Sequence, residues 1–368
     1  MNDEAAEIEQ HTALLTGQQD EILENHPVLN VHDLTKYFRL GGGPIGARRA
    51  YVQAVDGISF SVFKGETLGI VGESGCGKST TARLLMRLIE PDEGTMLLDG
   101  QAVGGVNSIS IRQLRHRVQM VFQDSYASLN PRHTATEEVS FGLIAQGVAR
   151  SEAQHRANEM LDLVGLEPRV FADRYPHELS GGQRQRVNVA RALAINPRVL
   201  ILDEAVSALD KSIEAQVLNL LVDIKQRLEL TYIFISHDLN VVQFISDRVL
   251  VMYLGKVVEI GPVEKIYRSA GHPYTRALIA SRLSIDPRQR IDAAPVGGDL
   301  PSPIDPPSGC RFRTRCPIAE PICGMSIPPL EVVGEDQNHV AACHALSSTS
   351  GHSLAPASGE QTISRRGA

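Results

Sequence analysis

The sequence predicts an α/β fold: a mostly parallel sheet whose strands are joined by crossover helices. Three observations carry that prediction. Short apolar runs (LGIV, VLILD, TYIFIS, RVLVMYLG) alternate with segments of helical spacing such as TARLLMRLI and EAQVLNLLVDIKQRL, the pattern of strands buried on both faces. Gly72–Ser79 fits G-x-x-x-x-G-K-S directly after one such run and before a helical segment, the context a phosphate-binding loop requires. The run VLIL ends in adjacent acids, Asp203 and Glu204, at the carboxyl end of a strand, where open α/β sheets place their ligands.

In chain order, residues 1 to about 27 are polar and acidic without periodicity and predict a tail without regular structure. From Val28, VLNVHDL and YVQAVDGISFSVF alternate apolar and polar residues and predict strands, with KGE as the turn before TLGIVG. The Gly-rich, basic GGGPIGARR between Phe38 and Tyr51 predicts a hairpin tip. Helical spacing follows over Thr81–Ile89, and PDEG ends it. A mostly helical stretch from about Ser140 to Arg174 includes RSEAQHRANEMLDLVGL with one apolar face. Beyond about Arg268 the composition turns to Pro, Gly and Cys, and APVGGDLPSPIDPPSGC is unsuited to regular structure. This reading sets four regions: a tail at 1–27, a nucleotide-binding domain at 28–267, an extension at 268–346 and a second disordered tail at 347–368. There is no internal repeat.

The chain has 368 residues, 42% of them hydrophobic, which suffices for one large core and a smaller second unit. With 36 basic against 43 acidic residues the net charge is -7, so there is no bulk electrostatic case for nucleic acid as a partner. No run approaches the roughly 18 apolar residues needed to span a bilayer, and MNDEAAEIEQ lacks the basic start and apolar core of a secretory signal. The expectation is a cytoplasmic protein. Four of five cysteines, Cys310, Cys316, Cys323 and Cys343, fall in the last sixth of the sequence, which in a reducing compartment suggests metal over disulfides. The intervals between them hold 5, 6 and 19 residues, looser than short zinc knuckles but a complete ligand set for an iron–sulfur cluster. His339 and His344 stand nearby as substitute ligands, and unliganded thiols are the bland alternative.

The motifs assign chemistry. The loop's glycines let backbone amides curl round phosphates at a helix N-terminus. Lys78 is suited to the β and γ phosphates and Ser79 to magnesium, while Cys76 fills space. Asp203 suits the magnesium shell and Glu204 the general base that polarises water. Gln123 and His237 each follow an apolar strand, the first as a neutral amide that senses magnesium and water, the second as a hydrogen-bond partner of the γ-phosphate and the water. Ser180, Gly181 and Gly182 open a helix whose free amides suit an anion.

Taken in order, GESGCGKST (Gly72–Thr80), LSGGQRQR (Leu179–Arg186), VLILDE (Val199–Glu204) and FISHD (Phe234–Asp238) resemble the ATP-binding cassette (ABC) family. That resemblance implies a P-loop nucleotide-binding domain with a RecA-like core, an antiparallel β subdomain and a helical subdomain at about 125–180. It implies an ATPase using ATP and Mg2+, with Gly72, Glu73, Ser74, Gly75, Cys76, Gly77, Lys78, Ser79 and Thr80 round the phosphates. Phe38 is the expected adenine-stacking residue, with Tyr37 and Tyr51 as alternatives. The signature residues Ser180, Gly181, Gly182 and Gln183 would close on an ATP held by a second subunit, and Asp210, in SALD, would lie in the loop between subunits. The strings VFQDSYASLNPR, RYPHELSGGQRQR, SALDKS, HPYTRAL and LPSPIDPPSGCRFRTRCP are similar to the ATPase subunits of bacterial dipeptide and oligopeptide importers. Their likeness covers about Val28 to His344 and implies a peripheral protein on the cytoplasmic face of the inner membrane. Its partners would be a second, different ATPase, two transmembrane permease subunits and an extracytoplasmic substrate-binding protein. Related motors serve nickel chelates, glutathione, murein peptides or opines. A soluble cassette outside transport is the remaining reading, and it generally needs a coiled-coil insertion or tandem cassettes, which this sequence lacks. One departure is Ala205 in place of the family's usual proline, which predicts a looser turn. Some relatives carry a 4Fe-4S cluster in such a tail.

Overall fold

The computed structural model describes residues 26–41, 50–104, 108–281 and 299–356. The expected N-terminal tail, most of GGGPIGARR and the last twelve residues lie outside them. Two sheets form the frame. In the first, β1 (Pro27–Arg39) pairs antiparallel with β2 (Tyr51–Phe63) and with β4 (Glu93–Leu98), and a short β5 (Gln101–Ala102) closes the far edge. The second has eight strands. At its centre β3 (Thr67–Val71), β6 (Val118–Val121), β7 (Val199–Asp203), β8 (Thr231–Ile235) and β9 (Arg248–Tyr253) run parallel in the order β9-β3-β8-β7-β6. Every residue of β3, β7 and β8 is buried, which explains why these strands read as continuous apolar runs.

The two faces of those strands feed different cores. Ile201, Ile233, Ile235, Leu250 and Met252 pack toward the antiparallel sheet with Val31, Leu34 and Val62. Leu200, Leu202, Tyr232, Phe234, Val249 and Val251 pack on the opposite side against the helices. The period-2 alternation of side chains thus makes one strand the shared wall of two cores.

Helices fill the crossovers. After β3 comes α1 (Lys78–Leu85), and α2 (Ile111–Arg117) precedes β6. The helical insert consists of α3 (Ala135–Ala145), α4 (Arg150–Leu163), α5 (Pro168–Phe171) and α6 (Gly181–Ala194). It begins five residues earlier than the apolar spacing predicts, because Thr134 caps α3 in a reciprocal box with Glu137. The chain then continues through α7 (Lys211–Leu228), α8 (Leu239–Ile245), β10 (Lys256–Pro262), α9 (Val263–Ser269) and α10 (Pro273–Ala280).

The extension is less separate than its composition suggests. Residues 299–321 carry no helix or strand, as expected, but α11 (Ile322–Met325) is followed by a hairpin of β11 (Glu331–Val333) and β12 (Asp336–Ala341). β12 pairs antiparallel with β10 through Glu259↔Ala341 and Ile260↔Val340, so the extension completes the edge of the large sheet. Glu259, fully buried, receives the amides of Gly271 and His272 at 2.6 and 3.0 Å and the Nε2 of His339 at 2.7 Å. His339 is thereby committed to a structural partner, and His344 Nε2 lies 3.0 Å from the Ser326 carbonyl; neither is free to substitute as a ligand. The segment expected as a second tail from 347 packs down at its start, where buried His352 lies 3.0 Å from the Ile318 carbonyl.

Candidate active site

The phosphate loop joins the buried strand β3 to α1, and two glycines are required by its shape. Gly77 has φ of +110°, and a Cβ there would meet the Ala54 carbonyl oxygen at 2.2 Å; at Gly72, with φ of +151°, it would meet the Met252 carbonyl oxygen at 2.2 Å and the Cys76 sulfur at 2.7 Å. Cys76 is buried and fills that space, consistent with a packing role. Lys78 Nζ donates to the carbonyls of Gly72 and Glu73 at 2.7 and 3.1 Å, so its ammonium lies inside the loop. Ser79 Oγ donates to Asp203 Oδ1 at 3.0 Å. Asp203 is 4% exposed, and burial raises its pKa against the opposing pull of Ser79. A desolvated carboxylate beside a hydroxyl is a donor pair that a divalent cation satisfies, so the residues fit Mg2+.

Glu204 follows in the left-handed region, φ +49°, an uncommon conformation for a side-chain-bearing residue and one found at functional sites. It is held there by its amide, which donates to the Ile235 carbonyl at 2.9 Å, and by Ser207, whose amide and hydroxyl reach the Glu204 carbonyl at 3.2 and 3.0 Å. The turn after the acid pair is therefore closed despite Ala205. Gln123 Nε2 donates to Glu204 Oε2 at 2.6 Å, and His237 Nδ1 lies 3.5 Å from Glu204 Oε1. The three side chains that sequence assigns to water and γ-phosphate thus meet at one carboxylate, delivered by the ends of β6, β7 and β8.

A cavity of 610 Å³ collects these groups. It is lined by Phe38, Val52 and Ala54 on one wall, by Ser74, Gly75 and Gly77–Thr80 on the floor, and by Gln123, Glu204 and His237 at the far end. Of the three aromatic alternatives only Phe38 lines it. Tyr37 is turned away, its hydroxyl 2.7 Å from Asp56 and its pKa pushed up to about 12 by burial and that contact, while Tyr51 lies opposite Arg39 at the strand end. Gly72, Glu73 and Cys76 form the loop's back.

The signature residues lie elsewhere. Ser180 caps α6, its Oγ accepting from the Gln183 amide at 3.3 Å while Gln183 Oε1 accepts from the Ser180 amide at 2.9 Å. None of Ser180–Gln183 lines the 610 Å³ cavity. Gly181 borders an adjoining cleft of 1210 Å³, which shares Gln123, Glu204 and His237 with that cavity and adds Asp203. Gly182 is buried against α7, where a Cβ would meet Ile213 Cγ2 at 2.4 Å. Asp210 is the N-cap of α7, accepting from the Ile213 amide at 2.9 Å.

Sequence reasoning missed the residues behind the loop. Tyr274, Arg311 and Arg315 belong to the extension yet contact the loop and its flanking strands. They stand in HPYTRAL and GCRFRTRCP, where nothing local marks a residue as the neighbour of a segment some 200 positions earlier.

The four distal cysteines lie near one another: the Cys310 amide donates to the Cys323 carbonyl at 2.8 Å. Burial pushes the Cys310 thiol up to about 12, and Cys323, Cys343 and Cys316 each add to that. Cys316 is raised by burial and then by Cys323, and Cys343 by burial and then by Cys316 and Cys323. Four neighbouring thiols are donors of the kind a four-thiolate centre uses. Among the described residues, however, no group of three or more His, Cys, Asp or Glu stands at metal-holding separation.

Such a site defines a class: a P-loop ATPase, in which phosphates, a divalent cation and a water are each met by a residue of fixed position. The comparisons narrow it. Residues 55–207 match the ABC transporter family, and residues 258–323 match the oligopeptide/dipeptide transporter C-terminal region. The chain is 48% identical over 328 residues to the oligopeptide transport ATP-binding protein AppF of Bacillus subtilis, covering 87% of this chain and 98% of that one. It is 46% identical over 319 residues to the di/tripeptide transport ATP-binding protein DppF of Pseudomonas aeruginosa, covering 86% and 98%. Among solved structures, cbiO1 of Clostridium perfringens, part of the cbiONQ ABC transporter complex, aligns with a TM-score of 0.56 at 29% identity over 66% of this chain and 91% of that one. The cassette MJ0796, solved as a dimer bound to ADP and Pi, aligns with a TM-score of 0.55 at 30% identity over 64% and 98%. This chain belongs to the ABC transporter ATP-binding proteins. It is an ATPase whose cofactor is Mg2+.

Proposed function

We propose that this ATPase drives uptake of di- and oligopeptides. The observation that carries the substrate class is the likeness to oligopeptide and di/tripeptide transport ATP-binding proteins over almost the whole chain, the extension included. Among the described residues no helix is long and apolar enough to cross a membrane, so transport needs permease subunits, and the chain acts from the cytoplasmic face of the inner membrane. Phe122, Tyr126, Phe141 and Ile144 are exposed apolar side chains on the loop after β6 and on α3, a surface suited to such subunits. An extracytoplasmic binding protein would deliver the cargo.

In the catalytic cycle Phe38 would stack on adenine, the loop amides and Lys78 would hold the phosphates, and Ser79, Asp203 and Gln123 would hold magnesium, which when bound supplies neutralisation of phosphate charge. Glu204 accepts a proton from the attacking water, and His237 and Gln123 fix the carboxylate that does so. Ser180–Gln183, apart from this cavity, act on the ATP of a second and different ATPase subunit, and Asp210 lies at the contact between the two. Each subunit therefore supplies half of each site. An iron–sulfur cluster fastening the extension would take Cys310, Cys316, Cys323 and Cys343 as its ligands, and holding it would require them to close from their present separation. An anaerobic preparation should be brown with thiolate-to-iron absorption; a colourless, iron-free one refutes the cluster.

The test of substrate class is uptake into vesicles containing the full transporter, with labelled tripeptide as cargo. Unlabelled dipeptides and tripeptides should compete, whereas nickel chelates and glutathione should not. Competition by either of those alone would overturn the peptide reading.

A further inference from the structure

We infer that Arg315, carried by the C-terminal extension, is a positioning residue for the nucleotide site, acting through Glu73 of the phosphate loop. This rests on Gly72–Thr80 being that site. The guanidinium makes two parallel bonds to the Glu73 carboxylate, Nη1 to Oε2 at 2.9 Å and Nη2 to Oε1 at 3.1 Å. Such a fork fixes orientation as well as distance. The side chain of Arg315 is 8% exposed and its Nε has no partner; Nη1 also donates to the Tyr253 hydroxyl at 3.3 Å, and the Glu73 carboxylate is the one charged group the guanidinium meets.

Every polar group of Glu73 is engaged. Its amide donates to the Tyr274 hydroxyl at 2.9 Å, and its carbonyl accepts from Lys78 Nζ at 3.1 Å and from the Cys76 amide at 3.2 Å. The peptide at Glu73 therefore cannot rotate without breaking a bond to the extension or one to the phosphate-binding lysine. Beneath it Tyr253, Tyr274 and Phe312, all buried, pack in tilted and edge-to-face contact with centroids 4.6, 5.3 and 5.4 Å apart, so the arginine projects from a close-packed floor.

The same turn grips the opposite wall. Arg311 bonds Asp56, Gln53 and the Leu254 carbonyl. Asp56 in turn holds the Tyr37 hydroxyl and Lys256. Burial pulls the Asp56 pKa up, but those hydrogen bonds and the Arg311 charge hold it below its usual value. Tyr37 precedes Phe38 in β1. One turn of the extension thus sets both the loop that meets the phosphates and the strands that carry the aromatic wall of the cavity.

The experiment uses the full chain in the assembled transporter, measuring KM for ATP and kcat separately. R315A should raise KM about tenfold with kcat within about twofold of wild type, as expected for lost ground-state binding. R315K, which cannot fork, should fall between. E73A should match R315A, and R315A/E73A should be no worse than either alone. An unchanged KM in R315A, or additive effects in the double variant, overturns the proposal. Should R315A fail to fold, E73A leaves the extension intact and decides alone: a wild-type KM overturns the inference. K78A is the control for the loop itself. Wild-type ATP affinity in K78A would sink the nucleotide-site reading, whereas lost affinity in K78A beside an unchanged KM in R315A would sink the Arg315 proposal alone.

Discussion

Burial and charge are set against each other most sharply at Asp203. The pair Asp203–Glu204 was legible because two acids at the end of an apolar strand, downstream of a phosphate loop, have few other uses. What sequence could not tell is how differently the neighbours are treated. Asp203 is buried with its pKa raised by desolvation, so ionisation costs the folded state energy and stability falls as pH rises through its folded pKa. Asp203→Asn should therefore raise the melting temperature in the absence of magnesium, by about 2 °C for ~1 kcal/mol in a chain of this size, while abolishing hydrolysis; a melting temperature that falls would contradict the desolvation argument. Glu204 carries a backbone conformation that only its fixed surroundings sustain. Glu204→Gln keeps an acceptor for Gln123 and removes the proposed base, so ATP binding should persist at wild-type affinity, read by titration calorimetry. Phe38, chosen over Tyr37 and Tyr51 by position alone, is the one that lines the cavity. Arg315 shows the opposite case, since it meets Glu73 across 242 residues and no pattern in one sequence announces such a pair.

The strands and caps explain which elements could be read in advance. β3, β7 and β8 are buried on both faces and so appear as apolar runs, whereas β11 is short and half-buried and β12 buries His339 and Ala341 on one face beside exposed polar residues, leaving no run to notice. The signature segment was legible as a helix start because Ser180 and Gln183 form a capping box, yet the need for Gly182 comes from α7. Gly182→Ala would press a methyl into Ile213, and overpacking of this kind costs about 1–3 kcal/mol. The expected result is a melting temperature several degrees lower, lost hydrolysis in the dimer and unchanged ATP affinity of the chain's own loop. The start of α10 gives a pH prediction. His272 Nδ1 accepts from the Tyr274 amide at 3.0 Å, and burial, aided by Arg276 and opposed by Glu259, lowers its pKa to about 4. The unfolded chain binds that proton near 6.5 and the folded chain does not, so stability is present above 6.5 and is lost as pH falls toward 4, by up to about 3 kcal/mol. Thermal melts across that window should be steeper for wild type than for His272→Asn, and parallel curves would exclude His272 as the cause.

At the level of the whole molecule, one large sheet carries both units. Its parallel centre presents Asp203, Glu204 and His237 at strand ends, and its antiparallel edge is finished by the extension, whose turn at Arg311–Arg315 reaches back to the phosphate loop. The composition breaks near Arg268, but β10 pairs with strands on both sides of that position, so the break does not mark a structural gap. The chain is proposed to be a motor in which Glu204 serves the ATP hydrolysis that drives transport. The most direct measurement is peptide uptake and phosphate release, taken together in vesicles holding the assembled transporter with either wild-type chain or Glu204→Gln. The account predicts that the variant binds ATP yet loses both activities by at least a hundredfold, a drop typical of removing a general base; continued ATP-dependent uptake at more than a tenth of the wild-type rate would contradict it.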